Sequence, residues 1–227
     1  MRTLFAWRGA GCVATGLLLA ACDEGPVVNF AQPFPAGAFD MAAFPARHQA
    51  VYTAADSSTS LHIGRTAVWL QELQSQVLGR HEPEAAILRL TTDSTYRSEG
   101  GQLHYLRPVG KDSIRDSWLS QDTIFALTGA HAGRLRRFQG RYYLSTPTEN
   151  AESWEVQRLE LARPKLVWQT LGRDTLRLRA LDPATVHYRR RNGISYYQLT
   201  PMPGPATRHV GRYAGLWNTK GEFLRRR

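Results

Sequence analysis

The segment TVHYRRRNGISYYQLT, residues 185–200, decides the fold class of this chain. On both sides of Asn192-Gly193, apolar or aromatic side chains alternate with polar ones, which is typical of half-buried strands. Asn-Gly accepts positive φ at both positions of a two-residue turn, which joins antiparallel strands directly. The segment therefore predicts a β-hairpin in which Arg189 pairs with Tyr196.

The alternation divides the side chains of this hairpin between two faces of a sheet. We expect one face to meet the core through Val186, Tyr188, Tyr197 and Leu199. We expect the other face to meet water, with the side chains of His187, Arg189, Arg191, Ile194, Tyr196 and Gln198.

Alternation and turn residues predict strands along the rest of the folded region as well. Strands are expected at residues 50–53, 60–64, 66–73, 85–91, 103–108, 113–119, 123–127, 138–145, 154–161, 166–171, 176–180 and 216–224. Residues 66–78 also fit the spacing of a helix, and we prefer a strand. Where Asp precedes Ser or Thr, as in Asp116-Ser117, we interpret the pair as the exit of a turn.

Two local features complete the predicted fold. The apolar parity changes between Val156 and Leu159, which predicts a bulge near Gln157-Arg158. A short helix is expected from Ala206, with Gly215 as its stop. The predicted fold is mainly β: an antiparallel meander sheet or a barrel-like sandwich, with one short C-terminal helix.

The N-terminus has the pattern of an export signal. A short basic segment precedes residues 9–21, which carry no charge. This run is too short to span a bilayer, which takes about 20 helical residues, so we predict a cleaved signal peptide at residues 1–21. Leu19-Ala20-Ala21-Cys22 resembles the lipobox of bacterial lipoproteins, and the resemblance implies that Cys22 becomes the lipidated first residue. The alternative is ordinary secretion, with Cys22 as an incidental thiol.

The predicted lipid anchor sets the expected location and domain organisation. Two or more acyl chains hold a protein stably on a membrane, so we expect the chain in the cell envelope, with the outer membrane favoured over the inner. Residues 22–45, rich in Gly, Pro, Ala and Phe without strong periodicity, are interpreted as the lipidated cysteine and a flexible tether. Residues 46–227 are predicted to form one β-rich domain, long enough to bury a core.

Two short motifs carry a second resemblance. An aromatic strand, Gly140-Arg141-Tyr142-Tyr143-Leu144, is followed by Trp154-Glu155-Val156. In this order of elements, residues 135–171 resemble small β-rich lipoproteins of unknown function. That resemblance implies a similar structure and assigns no activity and no ligand.

The charge balance indicates which classes of partner are expected. The chain has 29 Lys and Arg against 19 Asp and Glu, a formal net charge of +10. In an exported protein the relevant polyanions are lipid headgroups, lipopolysaccharide and acidic glycans, and nucleic acid is not expected. Because guanidinium groups bind phosphate or carboxylate and stack on rings, Arg189, Arg191 and Tyr196 form the candidate contact. The alternative is that the arginines only blunt the sheet surface and keep it soluble.

Motifs for catalysis and cofactor binding are missing from the sequence. There is no nucleophile elbow, phosphate loop or dinucleotide fingerprint, and His81-Glu82-Pro83-Glu84 has only the first half of a zinc protease motif. Seven histidines are scattered without ligand spacing. We therefore expect no catalytic residue, no metal site and no cofactor, although a triad could assemble from distant positions. A group of glutamates is interpreted as a solvated face: Glu149, Glu152, Glu155 and Glu160.

Two classes of function fit these observations. One is a non-enzymatic binding or structural lipoprotein that presents a β domain to an anionic glycan, lipopolysaccharide or an envelope protein. The other is a lipocalin-like β-barrel that carries a small apolar ligand. They differ in the interior, because a carrier needs a closed sheet around a cavity whereas a scaffold is filled with side chains.

Overall fold

The computed structural model describes residues 25–79 and 95–226. The signal peptide predicted at residues 1–21, the lipidation predicted at Cys22 and the strand predicted at residues 85–91 lie outside these ranges.

Strands dominate the described residues, which confirms a mainly β fold. The strands are β1 (Val27–Phe30), β2 (Asp40–Met41), β3 (Ala50–Thr53), β4 (Thr59–Ile63), β5 (Ala67–Gly79), β6 (Thr95–Arg97), β7 (Leu103–Pro108), β8 (Ser113–Ala126), β9 (Arg134–Phe138), β10 (Arg141–Pro147), β11 (Trp154–Ala162), β12 (Lys165–Leu171), β13 (Val186–Arg191), β14 (Ile194–Leu199) and β15 (Trp217–Arg225). The helices are α1 (Thr175–Arg179) and α2 (Pro205–Arg212), with single 3-10 turns at Ala46–His48 and Ala214–Leu216.

The strands form one branched sheet. Its main order is β13-β14-β1-β11-β12-β15-β3-β4-β5-β8-β7-β6, and β10, β9 and β2 branch from β11. Neighbours are antiparallel except β1 and β14, which run parallel. The sheet is not closed, and β13 and β6 are the ends of its main order. The described strands therefore enclose no barrel interior of the kind that a lipocalin-like carrier requires.

Two hydrophobic clusters cover opposite faces of β10 and β11. Tyr142 and Leu144 belong to the first cluster, and Tyr143 between them belongs to the second. Val156 likewise packs in the second cluster and Leu159 in the first. The register from β10 to β11 is continuous, so the predicted bulge at Gln157-Arg158 is wrong. The parity changes because both faces of the strand are buried, each against a different core.

Residues 25–45 are part of the fold, and their interpretation as a flexible tether is wrong. Strand β1 lies between β14 and the start of β11. The side chains of Phe30, Phe34 and Phe44 are at most 1% exposed. The Phe34 N–H also donates to the buried Ser145 hydroxyl at 3.1 Å. These aromatic side chains bury enough apolar surface to hold the segment on the sheet, although their irregular spacing shows no period.

The strand predicted at residues 176–180 is also wrong, because this stretch forms helix α1. The Asp174 carboxylate accepts the N–H groups of Leu176 and Arg177, which is the contact that begins a helix. Leu178 is buried, whereas Leu176 is 76% exposed. Only Leu178 of these two leucines is buried, so the alternation of leucine and arginine does not mark the buried face of a strand.

The hairpin at residues 185–200 has the predicted register, with Arg189 opposite Tyr196. Its turn has the expected positive φ, 50° at Asn192 and 81° at Gly193. Tyr197 and Leu199 are buried as predicted, but Tyr188 is 52% exposed. Tyr188 lies on β13, an edge strand, and the core does not extend that far.

Other expectations are confirmed in outline. The ambiguous stretch 66–78 is strand β5, and the C-terminal region contains α2 and β15. The strands predicted at 113–119 and 123–127 form one strand, β8, with a register shift opposite Val68 and Trp69.

Candidate anion-binding surface on the edge hairpin

The three residues predicted to bind anions lie together on one face of the β13–β14 hairpin. Arg189 and Tyr196 are direct cross-strand partners, and Arg191 is two residues along the same strand. The Arg189 guanidinium carbon lies 5.6 Å from the centroid of the Tyr196 ring, within the range of a cation–π contact. We call Arg189, Arg191 and Tyr196 the arginine strip.

The guanidinium groups of this hairpin carry uncompensated charge within the described residues. Arg189, Arg190 and Arg191 are exposed, and none of the ion pairs formed by residues 25–79 and 95–226 involves them. Residues 173–212 contain eight arginines and two aspartates. Both aspartates have local partners: Asp174 pairs with Arg177 at 3.2 Å, and Asp182 accepts the Ala184 N–H at 2.9 Å. This end of the sheet therefore presents positive charge to solvent.

A second polar group, which the sequence did not reveal, lies on the four strands at the other end of the sheet. Asp116 is completely buried inside β8, so the interpretation of Asp116-Ser117 as a turn exit is wrong. Both oxygens of its carboxylate lie 3.0 Å from His104 Nδ1. The Tyr96 hydroxyl donates to the same carboxylate at 3.1 Å, and the Gln76 amide donates at 3.4 Å.

This Asp116 cluster joins four strands, because its members come from β5, β6, β7 and β8. Burial, and then the negative charge of Asp116 and its hydrogen bond, raise the pKa of Tyr96 to about 12. The His104 ring stacks on Trp118 with ring centroids 5.0 Å apart. The sequence could have revealed the cluster through cross-strand pairing, since His104 lies opposite both Tyr96 and Trp118.

A third feature is a buried arginine at the place of the predicted bulge. Arg158 is 6% exposed and donates to the Gly211 carbonyl at 2.7 Å and to the Gln169 side chain at 2.8 Å. Its guanidinium carbon lies 4.5 Å from the Trp217 ring centroid. Burial lowers the pKa of Arg158 and raises that of its neighbour Tyr143. These contacts attach α2 to the sheet.

Clefts on the described surface are small and lie at the margins of the fold. One of about 380 Å³ is lined by residues that include Asp40, Thr66 and Leu135, and one of about 260 Å³ opens where β1 and β12 separate along β11. Among the described residues, no group of three or more His, Cys, Asp or Glu side chains is arranged to hold a metal ion. No helix within residues 25–79 and 95–226 is long and apolar enough to cross a membrane.

Comparison with known proteins gives no relative. No protein-family model matches the chain, no curated protein matches its sequence, and no solved structure matches its fold. The interpretation of the arginine strip therefore depends on its geometry alone.

Proposed function

We propose that this chain is an envelope lipoprotein, anchored through lipid on Cys22, whose β domain is a non-enzymatic binding module for an anionic envelope component. The arginine strip on the edge hairpin is its contact surface. The observation that carries the proposal is a run of three exposed arginines, Arg189 to Arg191, without an ion-pair partner among the described residues.

The chemistry of the strip supports an anionic ligand. Arginine presents a planar fork of donors that matches phosphate or carboxylate, and it is weakly hydrated, so such pairs form readily at a surface. Arg189 stacks on Tyr196, which limits the freedom of the guanidinium before binding. Acidic glycans and the phosphates of lipopolysaccharide share the required chemistry.

Charge reversal on the strip tests the binding surface. Arg189→Glu combined with Arg191→Glu is expected to weaken binding to lipopolysaccharide vesicles or to an acidic polysaccharide by about tenfold or more, and to flatten its salt dependence. Binding is measured by biolayer interferometry from low to high salt. The ligand that binds more tightly of the two identifies the source of the anion.

A matched control exists at the far end of the sheet. Arg107 and Arg115 are exposed cross-strand partners on β7 and β8. Arg107→Glu with Arg115→Glu changes the net charge by the same amount and is expected to leave most of the binding in place. If both double variants lose binding equally, attraction is a property of net charge, and the strip is not a site.

The anchor is tested separately. Cys22→Ser is expected to release the mature protein from membranes or to leave the precursor uncleaved, because serine lacks the thiol that would carry the lipid. The measurement is membrane fractionation with an immunoblot that separates precursor from mature protein. Mature Cys22→Ser protein that stays on the membrane would refute lipidation at this residue.

A further inference from the structure

The outer edge of β13 has backbone groups that no described strand uses. Among the strands of residues 25–79 and 95–226, β13 pairs with β14 alone. Thr200 N–H donates to the Thr185 carbonyl at 2.8 Å, so the odd-numbered residues of β13 direct their backbone N–H and C=O groups toward β14. Alternation then directs the N–H and C=O groups of Val186, Tyr188 and Arg190 away from β14, toward the free edge.

We propose that an acidic, extended polypeptide of a partner protein adds to this edge as a further antiparallel strand. The inference rests on the proposed function, and it specifies a polypeptide as the anionic partner of the arginine strip. An added strand would receive main-chain hydrogen bonds from the outward residues of β13, which is a known way for a sheet to bind a peptide. Tyr188, in the middle of β13, is 52% exposed.

The positive charge of β13 favours an acidic peptide as the added strand. Arg189 and Arg191 are two residues apart on one face, so their Cα atoms are separated by about 6.6 Å. An extended peptide with acidic residues at every second position presents carboxylates at the same interval. Opposite charges across a strand pair are favourable and like charges are not.

The same arginines exclude other strands from the edge. A second copy of β13 would bring three further arginines to an edge that already carries three, and a neutral strand would leave them unpaired. An acidic glycan or lipid phosphate can neutralise the arginines, but it lacks the N–H and C=O groups that complete a β-ladder. The backbone edge therefore favours a polypeptide over either of these ligands.

The geometry predicts which backbone amides of the peptide donate hydrogen bonds to β13. A glutamate whose side chain lies beside Arg189 or Arg191 is opposite an odd-numbered residue, and its own N–H points away from β13. The residues between the glutamates are opposite Tyr188 and Arg190, and their N–H groups point toward the edge.

The test uses a fluorescent peptide of about eight residues, matched to strand length, in which threonine and glutamate alternate. Two derivatives carry backbone N-methyl groups, one on the threonines and one on the glutamates, and both keep the full charge. Fluorescence anisotropy with the purified full-length protein in neutral detergent gives the affinities. We expect the threonine-methylated peptide to lose about tenfold or more in affinity, and the glutamate-methylated peptide to bind like the parent.

A pair of protein variants provides an independent reading. Tyr188→Pro removes an outward N–H from the edge, and Tyr188→Ala removes the same ring while keeping the N–H. The proline variant is expected to bind the parent peptide about threefold to tenfold more weakly than the alanine variant. Circular dichroism checks that each variant is folded, and the methylated peptides decide the question if the proline variant is not.

The outcomes separate the inference from the proposed function. Equal binding of the two methylated peptides, or binding of acidic polysaccharide without binding of the peptide, overturns strand addition and leaves an anion-binding surface. Failure of both the peptide and the anionic polymers to bind overturns both proposals.

Discussion

Replacement of Phe34 by alanine tests whether residues 25–45 belong to the fold. Phe34 is 1% exposed. Its ring centroid lies 4.8 Å from that of Phe30 and 4.9 Å from that of Tyr143, the second in an edge-to-face arrangement. Truncation of a buried phenylalanine costs about 3–5 kcal/mol of unfolding free energy, and the two aromatic pairs favour the upper part of that range. We expect Phe34→Ala to lose about 4 kcal/mol, a large fraction of the 5–15 kcal/mol typical of a domain.

Urea unfolding measured by tryptophan fluorescence is a suitable assay, because Trp217 lies 6.3 Å from Phe34 between ring centroids. The midpoint should fall while the slope stays the same, since the surface exposed on unfolding changes little. Phe39→Ala is the matched control: it lies in the same segment, but its side chain is 92% exposed, so we expect a change within about 0.5 kcal/mol. If the two variants lose equally little stability, the segment is a tether in solution and the packing described above is wrong.

Three further predictions follow from other contacts. A protein that starts at Ala46 lacks β1 and is expected to unfold at lower urea than one that starts at Gly25, or to be insoluble; equal midpoints would contradict the role of β1. Because the pKa of Tyr96 is raised to about 12, the free energy of unfolding is expected to fall as the pH rises from about 10 to 12. Asp116→Asn should lower this pKa, which is measured by tyrosinate absorbance with Tyr96→Phe as the reference that lacks the signal of this tyrosine. Asp174→Ala removes the N-cap of α1 and should cost about 1 kcal/mol; no change in thermal melting would show that the cap is not used.

The arginine strip was predictable in part because its geometry is local. A two-residue Asn-Gly turn fixes the register of its strands, and the register places Arg189 opposite Tyr196 whatever the rest of the chain does. The position of the hairpin at the sheet edge was not predictable. Its neighbour is β1, where Val27 pairs with Tyr196 from a distant part of the sequence. Edge position leaves the backbone of β13 open, and it also leaves Tyr188 exposed where the pattern predicted burial.

By itself, the sequence determined the mainly β class, most strand positions and the hairpin register, because alternation and turn chemistry act over a few neighbouring residues. Tertiary structure decided the rest. The Phe34 ring packs on Tyr143, and the Phe34 N–H binds Ser145, 111 positions away, so a segment without local pattern is part of the core. Val156 and Leu159 could not be assigned to faces until both faces of β11 were covered by different clusters. Asp116 has the local pattern of a turn residue, and only its contacts with His104 and Tyr96 show why it is buried in a strand. Burial depends on which distant side chains cover a residue, and the local sequence pattern does not contain that information.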